Sequence, residues 1–137
     1  MSRSGYSDDI DDKWQWIMYR GRVSSARRGK RGQAFFRDLA AAMDAMPDRA
    51  LIADDLQTSS GSVCALGALG ASRGLNMSSI DPEDSETVAG TFNIAEVLAR
   101  EVVHMNDEGT WNSAESPRAR WERMRVWVGN QILGSEQ

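Results

Sequence analysis

Apolar residues recur at helical spacing over most of this chain. Phe35, Leu39, Ala42, Met43 and Met46 fall three and four apart, so one helix face is apolar until Pro47 stops it. The same spacing returns at Ile94, Val97, Leu98, Val102 and Met105, and again at Trp121, Met124, Val128 and Ile132. Boundary signals accompany both runs. Asp81-Pro82-Glu83-Asp84 combines a capping residue, a first-turn proline and following acids. It predicts the start of one long helix that ends at Asn106-Asp107-Glu108-Gly109. Ser116-Pro117 opens the last helix, and Gly134 closes it. Nearer the N-terminus, Trp14, Ile17 and Met18 form a stripe on a helix predicted from Asp11. Its acids come first and Arg20 and Arg22 follow, the order that suits a helix dipole. Tryptophans at amphipathic spacing have the core as their default place.

The pattern changes between Arg49 and Val63, where an apolar pair, the turn cluster TSSGS and a second apolar run succeed one another. This reads as a short β-hairpin near residues 50–63, or as a strand leading into a helix that begins near Cys64. Gly67, Gly70 and Gly74 would each cost roughly 1 kcal/mol against alanine inside that helix, so it should be short and closely packed. The expected fold class is therefore mainly α. A flexible acidic arm at 1–10 precedes a single compact helical domain over 11–134, with a tail at 135–137. A chain of 137 residues suffices for one hydrophobic core.

Charge sharpens this picture at one place. The formal net charge is −4 and the isoelectric point is about 5.0, yet nearly half of the 16 Lys and Arg residues sit between Arg20 and Arg37. Arg20, Arg22, Arg27, Arg28, Lys30, Arg31 and Arg37 occupy that stretch without a single acid until Asp38. Arg27, Arg28, Lys30 and Arg31 crowd a glycine-bracketed connection, Gly29 to Gly32, beside the free amides of a helix start. Such a block can receive a phosphate, a nucleic-acid backbone or an acidic protein surface. A solvated charge run paired with the acidic arm weighs equally. Trp16 lies off the Trp14 stripe and beside the block, where an aromatic can stack a base or grip a partner.

Catalytic signals are sparse. GKRGQ lacks the GxxxxGK[ST] spacing of a phosphate-binding loop, and the carboxylates are scattered over helix starts, where a dipole or cap accounts for all but the central pair Asp54 and Asp55. The single cysteine excludes an internal disulfide framework. Cys64 at a helix start could act as a nucleophile if His104 served as base and Asn106 or Asp107 oriented it. A lone cysteine between Val63 and Ala65 is more often a small buried hydrophobe. No apolar run reaches the length of a membrane span, and the N-terminus has no apolar stretch of the signal-peptide kind. The residues assign no catalytic group, no metal and no cofactor, and point to a protein of the cytoplasm.

The segments RGKRGQAFFRDLAAAMDAMPDRALI, GSVCALGALGASRGL, DPED, IAEVLARE and MNDEG resemble a family of small uncharacterised proteins of bacteriophages and prophages. The likeness runs from about Trp14 to Val128, with GKRGQAF and CALGA followed by Asn-Asp as its most specific pieces. The resemblance implies a phage setting and the host cytoplasm, with no established activity. In that setting the expected role is a non-enzymatic interaction protein that binds and inhibits or modulates a host complex, for instance in anti-defence or anti-CRISPR activity. Partner contact is expected at Arg20, Arg22, Arg27, Arg28, Lys30, Arg31 and Trp16, or through acidic faces that imitate a nucleic-acid backbone. A nucleic-acid or nucleotide module using the basic block, and a small Cys64 enzyme, are the alternatives. A homo-oligomer is compatible with either binding role.

Overall fold

The computed structural model describes residues 3–5, 13–110 and 114–134. Among them are six α-helices: α1 (Lys13–Arg28), α2 (Lys30–Asp44), α3 (Ala65–Ser72), α4 (Ser85–Phe92), α5 (Glu96–Glu108) and α6 (Pro117–Gln131), with one 3₁₀ turn at Met77–Ser79. The fold is mainly α. Helix α2 packs on α1, α3 and α6, while α5 packs on α1, α3, α4 and α6. The stripes of α2, α5 and α6 therefore meet in one cluster. Phe35, Leu39, Met43, Ile94, Leu98, Val102, Trp121, Met124 and Val128 all belong to it. The α3 segment joins through Cys64, Ala65, Leu66 and Leu69. None of the described helices is long and apolar enough to cross a membrane.

Glycine explains how α3 enters so crowded a place. A Cβ at Gly67 would strike the carbonyl oxygen of Leu56, and one at Gly70 would meet the Met77 side chain at 2.6 Å. The helix ends at Ser72 with Arg73 as its cap, after which Gly74 takes φ +74°, a conformation that disfavours other residues.

Four expectations change. First, no strand forms among the described residues; the hairpin reduces to a turn at Thr58–Gly61 and a single antiparallel bridge between Gln57 and Val63. Val63 O accepts from Ile52 N and Cys64 N donates to Leu56 O, so the returning chain delivers Cys64 directly to the start of α3. Second, the long helix expected after Asp81 is two helices. Asp84 rather than Asp81 caps α4, its carboxylate accepting from Thr87 N, and Asn93 stops α4 in the left-handed region at φ 55°. Asparagine tolerates that region better than most residues.

Third, the Trp14, Ile17 and Met18 stripe faces outward, at 68%, 51% and 55% exposure. A competing stripe on the other side of α1, Tyr19 and Val23, packs against Val97 of α5 instead. Tyr19 suits that seat because its hydroxyl donates to Val97 O. Fourth, the basic connection is only one residue long. Gly29 alone separates α1 from α2, and Lys30, Arg31 and Gly32 already form the first turn of α2. Within the segment expected as a loose arm, Arg3 and Ser4 are buried. Asp8, Asp9, Asp11 and Asp12 lie outside the described residues, as does the tail at 135–137.

Candidate binding surface

The joint between α1 and α2 is built by Gly32 and Gln33. A Cβ at Gly32 would overlap the backbone oxygens of Ala26 and Arg27, so only glycine lets α2 start this close to the end of α1. The buried Gln33 then clamps three segments. Its Nε2 donates to Arg27 O at 2.8 Å and Gln131 O at 2.9 Å, and its Oε1 accepts from Leu133 N at 2.8 Å. The GKRGQ segment thus serves as a rigid elbow that holds basic side chains on a fixed backbone.

Around that elbow the cations differ in what they do. Arg20 turns inward, making a two-pronged ion pair with Glu101 on α5. It also lies 5.6 Å from the Trp16 ring centroid, and Trp16 stacks at 6.2 Å on Tyr19. Arg20 and Trp16 are accordingly committed to holding α1 on α5. Arg22 sits over Tyr19 at 5.6 Å. Arg27 reaches Gln131 O at 3.4 Å and Arg31 reaches Asn93 Oδ1 at 3.3 Å, both neutral acceptors that leave the charge uncompensated. Among the described residues no carboxylate forms an ion pair with Arg22, Arg27, Arg28, Lys30, Arg31 or Arg37. Arg28, Lys30, Arg31 and Arg37 are exposed. The result is a cationic ridge from Arg27 to Arg37, with Arg20 withdrawn from it.

The cysteine constellation has a different geometry. Cys64 is 1% exposed and caps α3, its Sγ accepting from Gly67 N at 3.4 Å. Asn106 comes to the same helix start: Oδ1 accepts from Ala65 N, while Nδ2 donates to Ile52 O and to Asp107 Oδ1. Asp107 in turn pairs with buried Arg3, whose Nη2 lies 2.8 Å from Oδ1. Ser4 donates to Glu108 and accepts from Arg100. His104 places Nδ1 3.1 Å from Glu108 Oε2 on its own helix. So CALGA and Asn-Asp do meet, as a structural knot that joins the 3–5 segment, α3 and α5.

The sequence reading missed Gln33 and Arg3, and also a groove of about 840 Å³ between the end of α2, the 58–62 turn and α3. Its floor of Ala42, Met46, Ile52, Val63 and Ala68 brings no charged groups together. Among the described residues no group of three His, Cys, Asp or Glu side chains could hold a metal ion. No family model, curated protein or solved structure matches this chain.

Proposed function

We propose that this chain is a non-enzymatic interaction protein, of the phage kind that its segments resemble, which binds and inhibits or modulates a host complex in the host cytoplasm. Anti-defence activity such as anti-CRISPR is the specific form we favour. One observation carries the reading: exposed Arg28, Lys30, Arg31 and Arg37 stand on the Gly32 and Gln33 elbow without a paired carboxylate among the described residues. Keeping several like charges together on a rigid backbone opposes folding slightly, and an acidic partner removes that opposition. The strongest candidate for chemistry supports the same reading, because Cys64 is occupied in capping α3 beneath the surface.

The ridge equally suits a phosphate backbone, which makes nucleic-acid binding the second reading. Trp16 favours the protein partner over a single-stranded one, since its ring is already engaged by Arg20 and Tyr19 and is poorly placed to take a base.

The test uses the immobilised chain and host lysate, comparing the wild type with an Arg28→Ala, Lys30→Ala, Arg31→Ala variant and an Arg118→Ala control. A host complex held in stoichiometric amount by wild type and control, and lost by the triple variant, is the expected outcome. Equal retention by all three sinks the ridge as the site. Titration of a labelled duplex then separates the readings. Four to six phosphate contacts, as many as the ridge offers, would lose about 10²–10³ in affinity between roughly 50 and 200 mM salt, and duplex binding with such a slope would replace the protein partner with nucleic acid.

A further inference from the structure

The buried Arg3 has a donor to spare. Its side chain is 3% exposed, and Nε and Nη2 both serve the Asp107 carboxylate on α5. Nη1 is buried with them and has no hydrogen-bond acceptor among the described residues. Native chains rarely bury such a group without a reason, because its lost hydration goes unreplaced. The oxygens nearby are committed. Asp107 Oδ1 already accepts from Arg3 Nη2, Asn106 Nδ2 and Asp54 N, and Asn106 Oδ1 accepts from Ala65 N.

What lies beside the guanidinium is the Cys64 sulfur. Burial by itself would weaken the hold of Arg3 on its proton, but the neighbouring Cys64 sulfur and Asp107 carboxylate outweigh it and keep the group above the ordinary arginine value. Sulfur is a weak acceptor, and Sγ already takes Gly67 N at 3.4 Å. A cation with a spare N–H and the first turn of α3 thus meet at one buried sulfur, where oxygen would satisfy both better.

We propose that Cys64 is an oxidation site, at which peroxide places oxygen on the sulfur and Arg3 receives it. In the first step a peroxide oxygen bonds to Sγ as the O–O bond breaks, and the leaving hydroxide takes the thiol proton and departs as water. Sulfur gives two electrons to the peroxide and becomes a sulfenic acid. Cys64 is the single cysteine, so no second thiol in the chain can turn that acid into a disulfide. A second peroxide adds another oxygen in the same way, releasing water and a proton and leaving a sulfinate. The sulfinate offers two oxygens and a negative charge to Arg3 Nη1 and Gly67 N. Oxidation therefore tightens the knot between the 3–5 segment, α3 and α5. Peroxide is scarcely larger than water. A small shift of the 3–5 segment, held by Asp107, Glu108 and Arg100, admits it while a bulkier alkylating reagent stays out.

Hydrogen peroxide on the native full chain tests this. Trypsin releases residues 50–73 as a peptide that contains Cys64 and no methionine, so oxygen gained there belongs to the sulfur. That peptide should gain two oxygens in buffer. Folding should protect Cys64 less against peroxide than against iodoacetamide, each measured relative to the chain in urea. No added oxygen overturns the proposal, and so does equal protection from both reagents, since only unfolded chain would then react. Arg3 is read through stability. The change in urea midpoint on peroxide treatment is corrected by that of a Cys64→Ala chain, whose methionines oxidise alike. It should be zero or positive for the wild type and negative for Arg3→Gln, which removes the cation and Nη1. Each chain is compared with its own untreated form, so the stability of Arg3→Gln itself does not enter. Equal changes in the two chains overturn Arg3 as the receiver. A negative change in the wild type does so even if Arg3→Gln does not fold.

Discussion

Arg20 grips Glu101 through both terminal guanidinium nitrogens, at 2.6 and 2.9 Å, across the contact between α1 and α5. The carboxylate side chain is 8% exposed and the guanidinium side chain 40%. That inequality decides which partner matters more to stability. Arg20→Ala removes two charge-assisted hydrogen bonds from a buried carboxylate and should destabilise the fold by about 1–3 kcal/mol, whereas Glu101→Gln leaves a neutral group for the half-exposed arginine and should cost less. Urea unfolding of the two variants checks the order. An Arg20→Ala chain as stable as the wild type would mean that Arg20 is free to serve the ridge after all.

Cys64 should resist thiol reagents in the native chain. Its Sγ faces Gly67 N and is covered by the knot that Asn106 and Asp107 make with Arg3. Labelling should be slow in buffer and fast in urea, with a rate that tracks unfolding. Asn106→Ala opens the knot, leaving Ala65 N and Ile52 O without their partner at roughly 1–3 kcal/mol for each buried group. It should lower stability and speed native labelling together. Rapid labelling of the intact wild type would revive cysteine chemistry as the activity.

Some of this was legible beforehand and some was not, for identifiable reasons. The α2 and α6 stripes could be read because their apolar residues keep strict helical spacing and each start or stop carries proline, serine or glycine chemistry. The nine core residues that those stripes and α5 supply lie in one cluster. The break at Asn93 escaped notice because Val88, Ala89 and Phe92 pass into Ile94 and Leu98 without losing the apolar character that marks a helix. On α1 two stripes compete at equal spacing, and only the partner α5 decides that Tyr19 and Val23 win over Trp14, Ile17 and Met18. Arg20 looked like its basic neighbours because Glu101 lies 81 residues away. Gln33 did leave a trace: it stands three before Phe36 on the buried side of α2, a polar residue where the pattern asks for an apolar one.

Acid should weaken the link between α5 and α6. Hydrogen bonding from Arg123 outweighs burial and holds the Glu115 carboxyl below the usual carboxylate range, with the Arg123 and Arg120 charges adding to the effect. Arg123 also donates to Met105 O and Asn106 O at the end of α5. The unfolded chain binds the Glu115 proton more tightly than the folded one, so this stabilisation is complete above the unfolded value of about 4.3 and is lost as pH falls through the lower folded value. Glu115→Gln should cost about 1.5–3 kcal/mol at pH 7, with the gap to wild type closing toward pH 3. Urea midpoints for both chains across that range give the answer, and a gap independent of pH would show that the carboxylate charge contributes nothing.

The core offers the strictest contrast, because two small changes at helical positions should act in opposite directions. At Gly67 an added methyl collides with the Leu56 carbonyl, a backbone atom fixed by its bond from Cys64 N. Gly67→Ala should therefore destabilise by about 1–3 kcal/mol despite the better helix propensity of alanine. At Gly90 on α4 nothing lies within 4 Å of the added atom, so Gly90→Ala should stabilise by roughly 0.5–1 kcal/mol. Leu98→Ala, which removes a fully buried side chain from the centre of the cluster, should exceed both at about 2–5 kcal/mol. Thermal melts of the three variants suffice. A Gly67→Ala chain that melts at or above the wild-type temperature would show that α3 can pull back from Leu56, and that the glycines in CALGALG have a purpose other than close packing.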